Sequence, residues 1–324
     1  MSCPYNFQSC RSAMPEGLVD EQAFVKQAAP RLTCKAGGRN AVGRGTRQTH
    51  QESKMITSDD IQRVRSQFGE DEEGYFWGGE FVSLFGNSVI ESARRKDKIV
   101  GEIYRKYSYI MQDLWSLGII IFKLEWMRSR AEIDESLKTI WWHFATVDIQ
   151  QFFIEFRSIF DYTAQIIKQA ANKPGQTPNS FQDLQKWIEE KPGHRDSLGD
   201  DLANLVDSVD WFPNIRNLRD NIIHFGGFTL PFMSPKEGIL FQVYGDSLSP
   251  LVKDDAVMYN RNVVDFQLYS ALYICRLFLF LENLASLVRS KLSMKGTSSS
   301  GKVYSPGFEF LINWLDRLGE KMKG

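Results

Sequence analysis

Apolar residues recur at helical spacing along most of the chain after residue 54. The clearest stretch is 131–171, where apolar side chains return every three or four positions and define one core-facing stripe. The stripe consists of Phe152, Phe153, Phe156, Ile159, Phe160, Ala164 and Ile167. The same reasoning predicts further helices over 58–68, 80–112, 180–190, 198–225, 263–291 and 307–318.

Some segments depart from this helical pattern. LGIIIFKLEW, at 117–126, is rich in branched residues and fits either a strand or a buried helix. ILFQVYG and DAVMYNR alternate enough to predict a small β-hairpin across a long turn. Glycine and proline predict turns or loops at 69–79, 191–196 and 225–238. We therefore expect a mainly all-α fold, a helical bundle with a small β-hairpin insertion after the helix that ends near residue 225.

Residues 1–54 differ from the rest of the chain. They have little apolar periodicity, and their middle carries five basic residues without an acidic one: Arg31, Lys35, Arg39, Arg44 and Arg47. Such a segment cannot bury enough apolar surface to offset its ordering entropy. We predict a disordered basic tail over 1–54 and one α-helical domain over 55–324 with a C-terminal helix. A start of translation at Met55 is an alternative, because a helix cap follows it.

The charge and cysteine content limit the classes of function. With 39 basic and 40 acidic residues, the net charge of −1 argues against wholesale nucleic-acid binding but permits a local basic patch. The four cysteines form no C-x-x-C pair and none lies near a histidine at zinc-ligand spacing. We expect an intracellular, cytoplasmic protein with free thiols and without a metal or other cofactor.

No membrane segment is predicted. The first 30 residues lack the continuous apolar core of a secretory signal. The apolar stretch 263–288 is long enough to span a bilayer, but Asp265, Gln267, Arg276 and Glu282 interrupt it. A buried helix of a soluble bundle fits it better.

The segment LRDNIIHFGG, residues 218–227, carries the chemistry of most interest. On a helix over 214–225, one side gathers the core stripe Ile215, Leu218, Ile222 and Phe225, while Asn217, Asp220, Asn221 and His224 gather on the opposite, solvent-facing side. Asp220 lies four positions before His224, close enough for its carboxylate to orient the imidazole and favour its charged form. Arg219 lies about 140° from His224 around the helix, so a second copy of the helix must bring the two groups together unless the arginine wraps around.

Arg219-Asp220-Asn221-Ile222-Ile223-His224 resembles the signature of the HEPN superfamily, an arginine and often a polar residue followed by a histidine four to six positions after the arginine. The resemblance implies an α-helical bundle and metal-independent cleavage of RNA. It also implies a homodimer in which two motifs meet, with help from a polar residue on a preceding helix. A toxin-like or defence-related role, and a neutralising protein partner, follow from the same resemblance.

These considerations give two sets of candidate site residues. The candidate catalytic residues are Arg219, Asp220 and His224. The candidate substrate-binding residues are Arg157, Asp161, Arg216, Asn217 and Asn221. Histidine titrates near neutral pH and suits removal of a 2′-hydroxyl proton, while a guanidinium can hold phosphoryl oxygens bidentately.

Less reactive explanations stay open. His224 can be a surface histidine paired with Asp220, and Arg157 with Asp161 can be an ion pair on a solvated helix face. The whole protein can be a non-catalytic helical module that binds a nucleotide or a protein partner.

Overall fold

The computed structural model describes residues 56–85, 96–224, 228–244, 255–260, 262–292 and 301–323. These residues belong to one compact unit, 52–324. Within them the fold is mainly α-helical, with ten α-helices and two small antiparallel sheets, which confirms the predicted fold class. The predicted disordered tail, 1–54, lies outside the described residues.

The helices are α1 (Ser58–Arg65), α2 (Glu80–Phe85), α3 (Lys98–Ala131), α4 (Glu135–Ala170), α5 (Phe181–Glu190), α6 (Pro192–Leu198), α7 (Asp200–Asp207), α8 (Phe212–His224), α9 (Phe266–Lys291) and α10 (Gly307–Lys321). The strands are β1 (Phe68–Asp71), β2 (Gly74–Trp77), β3 (Phe228–Ser234), β4 (Gly238–Tyr244), β5 (Met258–Asn260), β6 (Val263–Asp265) and β7 (Val303–Tyr304). One sheet has the order β1-β2-β7 and the other the order β3-β4-β6-β5.

A long helical hairpin, α3 and α4, forms the frame of the molecule. The helices contain 34 and 36 residues, and a connection of three residues forces them to run antiparallel. Asp97 and Asp134 start them by accepting hydrogen bonds from the first backbone amides of each helix. The ambiguous segment 117–126 lies inside α3, so it is helical.

Helix α9 is the buried centre of the bundle. By length and composition it is apolar enough to cross a membrane, yet 78% of its most apolar window is buried inside the protein. Phe153 of α4 and Tyr269 of α9 pack edge to face, with ring centroids 5.8 Å apart. Its apolar side chains therefore contribute to the core, as predicted for this stretch.

Helices α1 and α10 cover the bundle and contact each other. The Arg65 guanidinium lies 3.2 Å from the Asp316 carboxylate across this contact. Helix α10 also crosses α3 where Gly307 meets Gly118. The backbones are so close that a Cβ on Gly307 would lie 1.8 Å from the Gly118 carbonyl oxygen. The crossing therefore depends on the missing side chain.

Two buried acids, one within α9 and one at its N-cap, connect distant elements. The Glu282 carboxylate accepts hydrogen bonds from the backbone amides of Glu80 and Phe81 at the start of α2, at 2.7 and 3.2 Å. Asp265 caps α9 and lies 2.6 Å from Arg317 of α10. Both carboxylates are less than a tenth exposed, so these contacts are poorly screened by solvent.

Several local predictions need correction. Segment 69–79 is not a turn, because its residues supply most of the β1–β2 hairpin. Segment 191–196 breaks the helix only at Lys191, which is extended, and Pro192 then occupies the first turn of α6, where a missing amide costs little. Segment 225–238 is not all loop, because 228–234 form β3, which pairs with β4. The predicted hairpin between ILFQVYG and DAVMYNR is also wrong, because β4 pairs with β3 and β6, and β5 pairs with β6.

Candidate functional site

Helix α8 presents the face that the sequence predicts. Ile215 and Leu218 are fully buried, Ile222 is 5% exposed, and Ile223 is half-buried at the margin. The fourth predicted member of the stripe, Phe225, lies outside the described residues. The buried stripe fixes the rotation of α8 and so determines which polar residues point toward its neighbours.

Asp220 is the centre of a cluster of arginines. Its Oδ1 lies 2.9 Å from Nη1 of Arg219 and 3.8 Å from Nη1 of Arg157, which comes from α4. Its Oδ2 lies 3.8 Å from Nε of Arg216, one turn earlier on α8. Three guanidinium groups from two helices therefore converge on one carboxylate.

This cluster is half-buried, which differs from the predicted solvent-facing position of Asp220. The side chain of Asp220 is 28% exposed, and that of Arg219 is 15% exposed. Arg157, on α4, reaches Asp220 from the side that the helical wheel leaves to solvent. Partial burial weakens solvent screening, so the charges interact more strongly than on an open helix face.

Arg157 and Asp161 form the ion pair expected from their spacing, with Nε and Oδ2 3.8 Å apart. Asp161 also accepts a hydrogen bond from the backbone amide of Phe181 at the start of α5, at 3.1 Å. Arg157 therefore has two acidic neighbours, one on its own helix and one on α8. The pair is not confined to a solvated face, and a role for Arg157 in binding stays a prediction.

The two candidate asparagines differ in their surroundings. Asn217 accepts a hydrogen bond from Nη2 of Arg216 at 2.7 Å, so it helps to orient that guanidinium. The Nε of Arg216 is buried without a hydrogen-bond acceptor among the described atoms. Asn221 is half-buried on the same helix. Asn217 thus orients the Arg216 guanidinium, and the Nε–H of that group makes no hydrogen bond within the described residues.

His224 is the last residue of α8, and its side chain lies outside the described residues. The predicted contact between Asp220 and the imidazole therefore stays a prediction. The backbone places His224 one helical turn after Asp220, at the end of the helix that carries the arginine cluster.

The cluster is suited to binding an anion. Arg157, Arg216 and Arg219 supply three positive charges against the two carboxylates of Asp161 and Asp220, which leaves an excess of one. A phosphate group presents several acceptor oxygens that guanidinium forks recognise bidentately. Asp220 holds the guanidinium groups close together, so a phosphate would meet them already gathered.

A second charged cluster, which the sequence did not reveal, joins α3 and α4. Burial and, as the second cause, the neighbouring Glu155 carboxylate together raise the pKa of Asp113 to about 7. Burial and the nearby Asp113 charge also raise the pKa of Tyr162. The two acids are distant in sequence and meet only because α3 and α4 pack antiparallel.

In the described part of the chain, no three His, Cys, Asp or Glu side chains are grouped so that they could hold a metal ion. The sequence matches no protein-family model, and neither the curated proteins nor the solved structures contain a match to the chain.

Proposed function

We propose that the protein is a metal-independent endoribonuclease of HEPN type whose site includes Arg219, Asp220 and His224. The observation that carries the proposal is the convergence of Arg157, Arg216 and Arg219 on Asp220. Asp220 and two of the three arginines lie on the helix that ends at His224. A phosphate-binding group and a proton-accepting group are the two elements that RNA cleavage without metal requires.

The proposed reaction is transfer of a phosphoryl group within the RNA. The 2′-hydroxyl oxygen attacks the adjacent phosphorus, and His224 accepts the hydroxyl proton. The bond between phosphorus and the 5′-oxygen breaks, and that oxygen takes up a proton. The products are a 2′,3′-cyclic phosphate and a 5′-hydroxyl, and DNA is not cleaved because it lacks the nucleophile.

The arginines stabilise the charge that builds on the phosphoryl oxygens during the attack. Arg219 is the principal contact because it lies on the motif, and Arg157 and Arg216 assist from the two sides of Asp220. Asn217, Asn221 and Asp161 act by orienting these groups. Asp220 keeps the guanidinium groups together and is placed one turn from His224, where it can favour the charged imidazole.

The site is completed by a second copy of the chain. Arg219 and His224 lie about 140° apart around one helix, so two helices that contribute one group each bring them to a shared phosphate, unless the Arg219 guanidinium, which lies 2.9 Å from Asp220, reaches it within one copy. The protein is therefore proposed to act as a homodimer. Its proposed setting is the cytoplasm, in a toxin-like or defence-related role that a protein partner neutralises.

Cleavage of structured RNA in excess chelator tests the activity. We expect the wild type to release 2′,3′-cyclic phosphate ends and His224→Ala and Arg219→Ala to lose at least about 100-fold in rate. Arg195→Ala is a matched control, because Arg195 pairs with Asp207 at 2.5 Å in a contact between α6 and α7. Cleavage by purified His224→Ala at the wild-type rate would exclude the assignment.

A mixture of the two inactive variants tests the composite site. If Arg219 and His224 act across the dimer, a heterodimer of Arg219→Ala and His224→Ala has one intact site. Random pairing then restores about a quarter of the wild-type activity. If both groups act within one copy, no heterodimer has an intact site and the mixture stays inactive.

A second candidate is a non-catalytic module that binds phosphate-containing ligands with the same arginines. The excess positive charge of the arginine cluster supports this candidate, because binding a phosphate needs no proton acceptor. This candidate predicts RNA binding that weakens in Arg219→Ala, without cleavage and without an effect of His224→Ala. Filter binding and product analysis on the same samples distinguish the two functions.

A further inference from the structure

The exposed large apolar side chains are concentrated on the helical hairpin of α3 and α4. Of the eleven such side chains in the described part of the chain, nine lie on these two helices or in the turn between them. They are Ile99, Tyr109, Trp115, Phe122, Trp126, Ile133, Ile140, Phe144 and Val147. Single apolar residues scattered over a surface need no explanation, whereas their concentration on one pair of helices indicates a contact surface.

Most of these side chains follow helical spacing and form one stripe on each helix. The α3 stripe consists of Trp115, Ile119, Phe122 and Trp126, and the α4 stripe consists of Leu137, Ile140, Phe144 and Val147. Successive members of each stripe are three or four positions apart, which is the spacing by which helices pack along a shared seam. Each helix therefore has a second apolar side in addition to the one that it buries in the core.

The two stripes lie on the same face of the hairpin. Trp126 of the α3 stripe and Phe144 of the α4 stripe line one groove of about 270 Å³ between the helices. The Lys123 ammonium, at the wall of this groove, lies 5.9 Å from the centroid of the Phe144 ring and 2.8 Å from the Asp148 carboxylate. Its charge is therefore already paired. The volume of the groove corresponds to about nine water molecules, which is enough for one bulky apolar side chain.

The outer face of the hairpin offers nearly the area that a stable pair of chains needs. The six exposed members of the two stripes are between 37% and 60% exposed. Since a large aromatic side chain presents about 150–250 Å², these six supply about 500–600 Å² of apolar surface. The half-buried members and the polar side chains along the edges add to this area, which approaches the roughly 800 Å² that each partner buries in a stable interface.

The charges around this face favour a second copy of the chain over a lipid surface. At the turn, the exposed acids Glu132, Asp134 and Glu135 lie beside the exposed Arg130 and Lys138. This end therefore has no excess of positive charge, whereas helices that bind anionic membranes have a basic polar face. Two antiparallel helices with apolar seams are instead half of a four-helix bundle, and a second hairpin related by two-fold symmetry completes it.

We propose that two copies of the chain associate through the outer face of the α3–α4 hairpin and form a four-helix bundle across the interface. The α3 and α4 stripes form its seam, and each copy inserts an apolar side chain into the groove of the other. This surface gives the proposed homodimer a place of contact. It contains no residue of the arginine cluster around Asp220 and does not rest on the proposed ribonuclease activity.

The mass of the full chain in solution tests the proposal in the absence of RNA. Sedimentation equilibrium up to about 50 μM is expected to give twice the chain mass of 37.3 kDa. A monomer at this concentration would overturn the proposal. Co-sedimentation of that monomer with phosphatidylcholine vesicles would then assign the face to a lipid surface.

Lysine substitutions on the two helices locate the contact. Val147→Lys and Trp126→Lys each bury charge in the seam, and two-fold symmetry doubles it. We expect each to raise the dissociation constant of the dimer at least about 100-fold. Tyr259→Lys is the matched control, because Tyr259 is 52% exposed, like Trp126 at 49%, but lies on β5. This control is expected to keep the wild-type mass.

Two variants on different helices keep the test decisive. Circular dichroism shows whether each variant is folded, and if one is not, the other decides the question. A wild-type dissociation constant in the folded variants, or equal dissociation of Tyr259→Lys, would place the contact elsewhere and overturn the proposal. Because mass is measured without RNA, dissociation of Val147→Lys supports this surface even if the chain proves not to cleave RNA.

Discussion

Replacing Asp113 by asparagine should make the protein less sensitive to alkaline pH. The pKa of Asp113 is raised from 3.8 to about 7, chiefly by burial and then by the Glu155 carboxylate. Its protonated form is therefore favoured by folding. The resulting stability is fully present below about pH 4 and is lost as the pH rises through about 7. Asparagine is a neutral substitute that does not titrate.

The magnitude follows from the shift and from the exposure of the group. A pKa that rises from 3.8 to about 7 corresponds to about 4 kcal/mol for a carboxyl group shielded from water. Asp113 is only partly buried, so solvent screening reduces the difference to about 1–2 kcal/mol. We expect Asp113→Asn to exceed the wild type by this free energy of unfolding at about pH 8 and to match it near pH 4.

Urea unfolding followed by circular dichroism across this pH range measures the difference directly. Asp134→Asn is the control of opposite sign, because a hydrogen bond from the Ser136 side chain lowers the pKa of the exposed Asp134 carboxyl. The stability that Asp134 contributes is present above its unfolded pKa and is lost on acidification. A difference between wild type and Asp113→Asn that does not change with pH would refute the reasoning.

Three further substitutions test contacts that hold the helices together. Glu282→Ala removes the acceptor of two amides at the start of α2; we expect urea unfolding to show a loss of about 2–3 kcal/mol, and a loss under about 0.5 kcal/mol would contradict the capping role. Gly307→Ala brings a Cβ within 1.8 Å of the backbone of α3, so thermal unfolding should show a loss of more than about 2 kcal/mol in the free energy of unfolding. Gly319→Ala is the control and should be tolerated, because no neighbour lies closer than 3.7 Å to the added Cβ. Arg317→Met leaves the buried carboxylate of Asp265 without its 2.6 Å ion pair and should cost about 3–5 kcal/mol in urea unfolding; an unchanged midpoint would show that the pair does not stabilise the fold.

The sequence predicts the helices well because their buried stripes repeat over many turns. The prediction fails for strands whose composition is unusual for a strand but is tolerated at their position in the sheet. Pro231 lies in β3 and argues against a strand, but β3 is an edge strand, where a missing backbone amide breaks no central hydrogen bond. The β1–β2 hairpin was missed because its acidic residues and glycines resemble an ordinary turn.

For the candidate site, too, the sequence predicts the buried side of the helix correctly and the polar side incorrectly. The helical wheel of α8 gives its buried face correctly, since that face depends on spacing alone. It places Asp220 in solvent because a wheel contains no information on the neighbouring helix, and Arg157 arrives from α4. The Asp113–Glu155 pair has no signal in spacing at all, because it depends on two helices that meet only in three dimensions.

The contact between α1 and α10 has a consequence for how the chain folds. Arg65 and Asp316 are 251 positions apart, whereas α3 and α4 can close on each other through a three-residue connection. Contacts of short sequence separation form first, since closing a long loop costs entropy before any contact repays it. The hairpin should therefore form early, while the apolar surface of α9 stays uncovered until α10 docks. During that interval the exposed apolar surface of α9 is a site at which partly folded chains can aggregate.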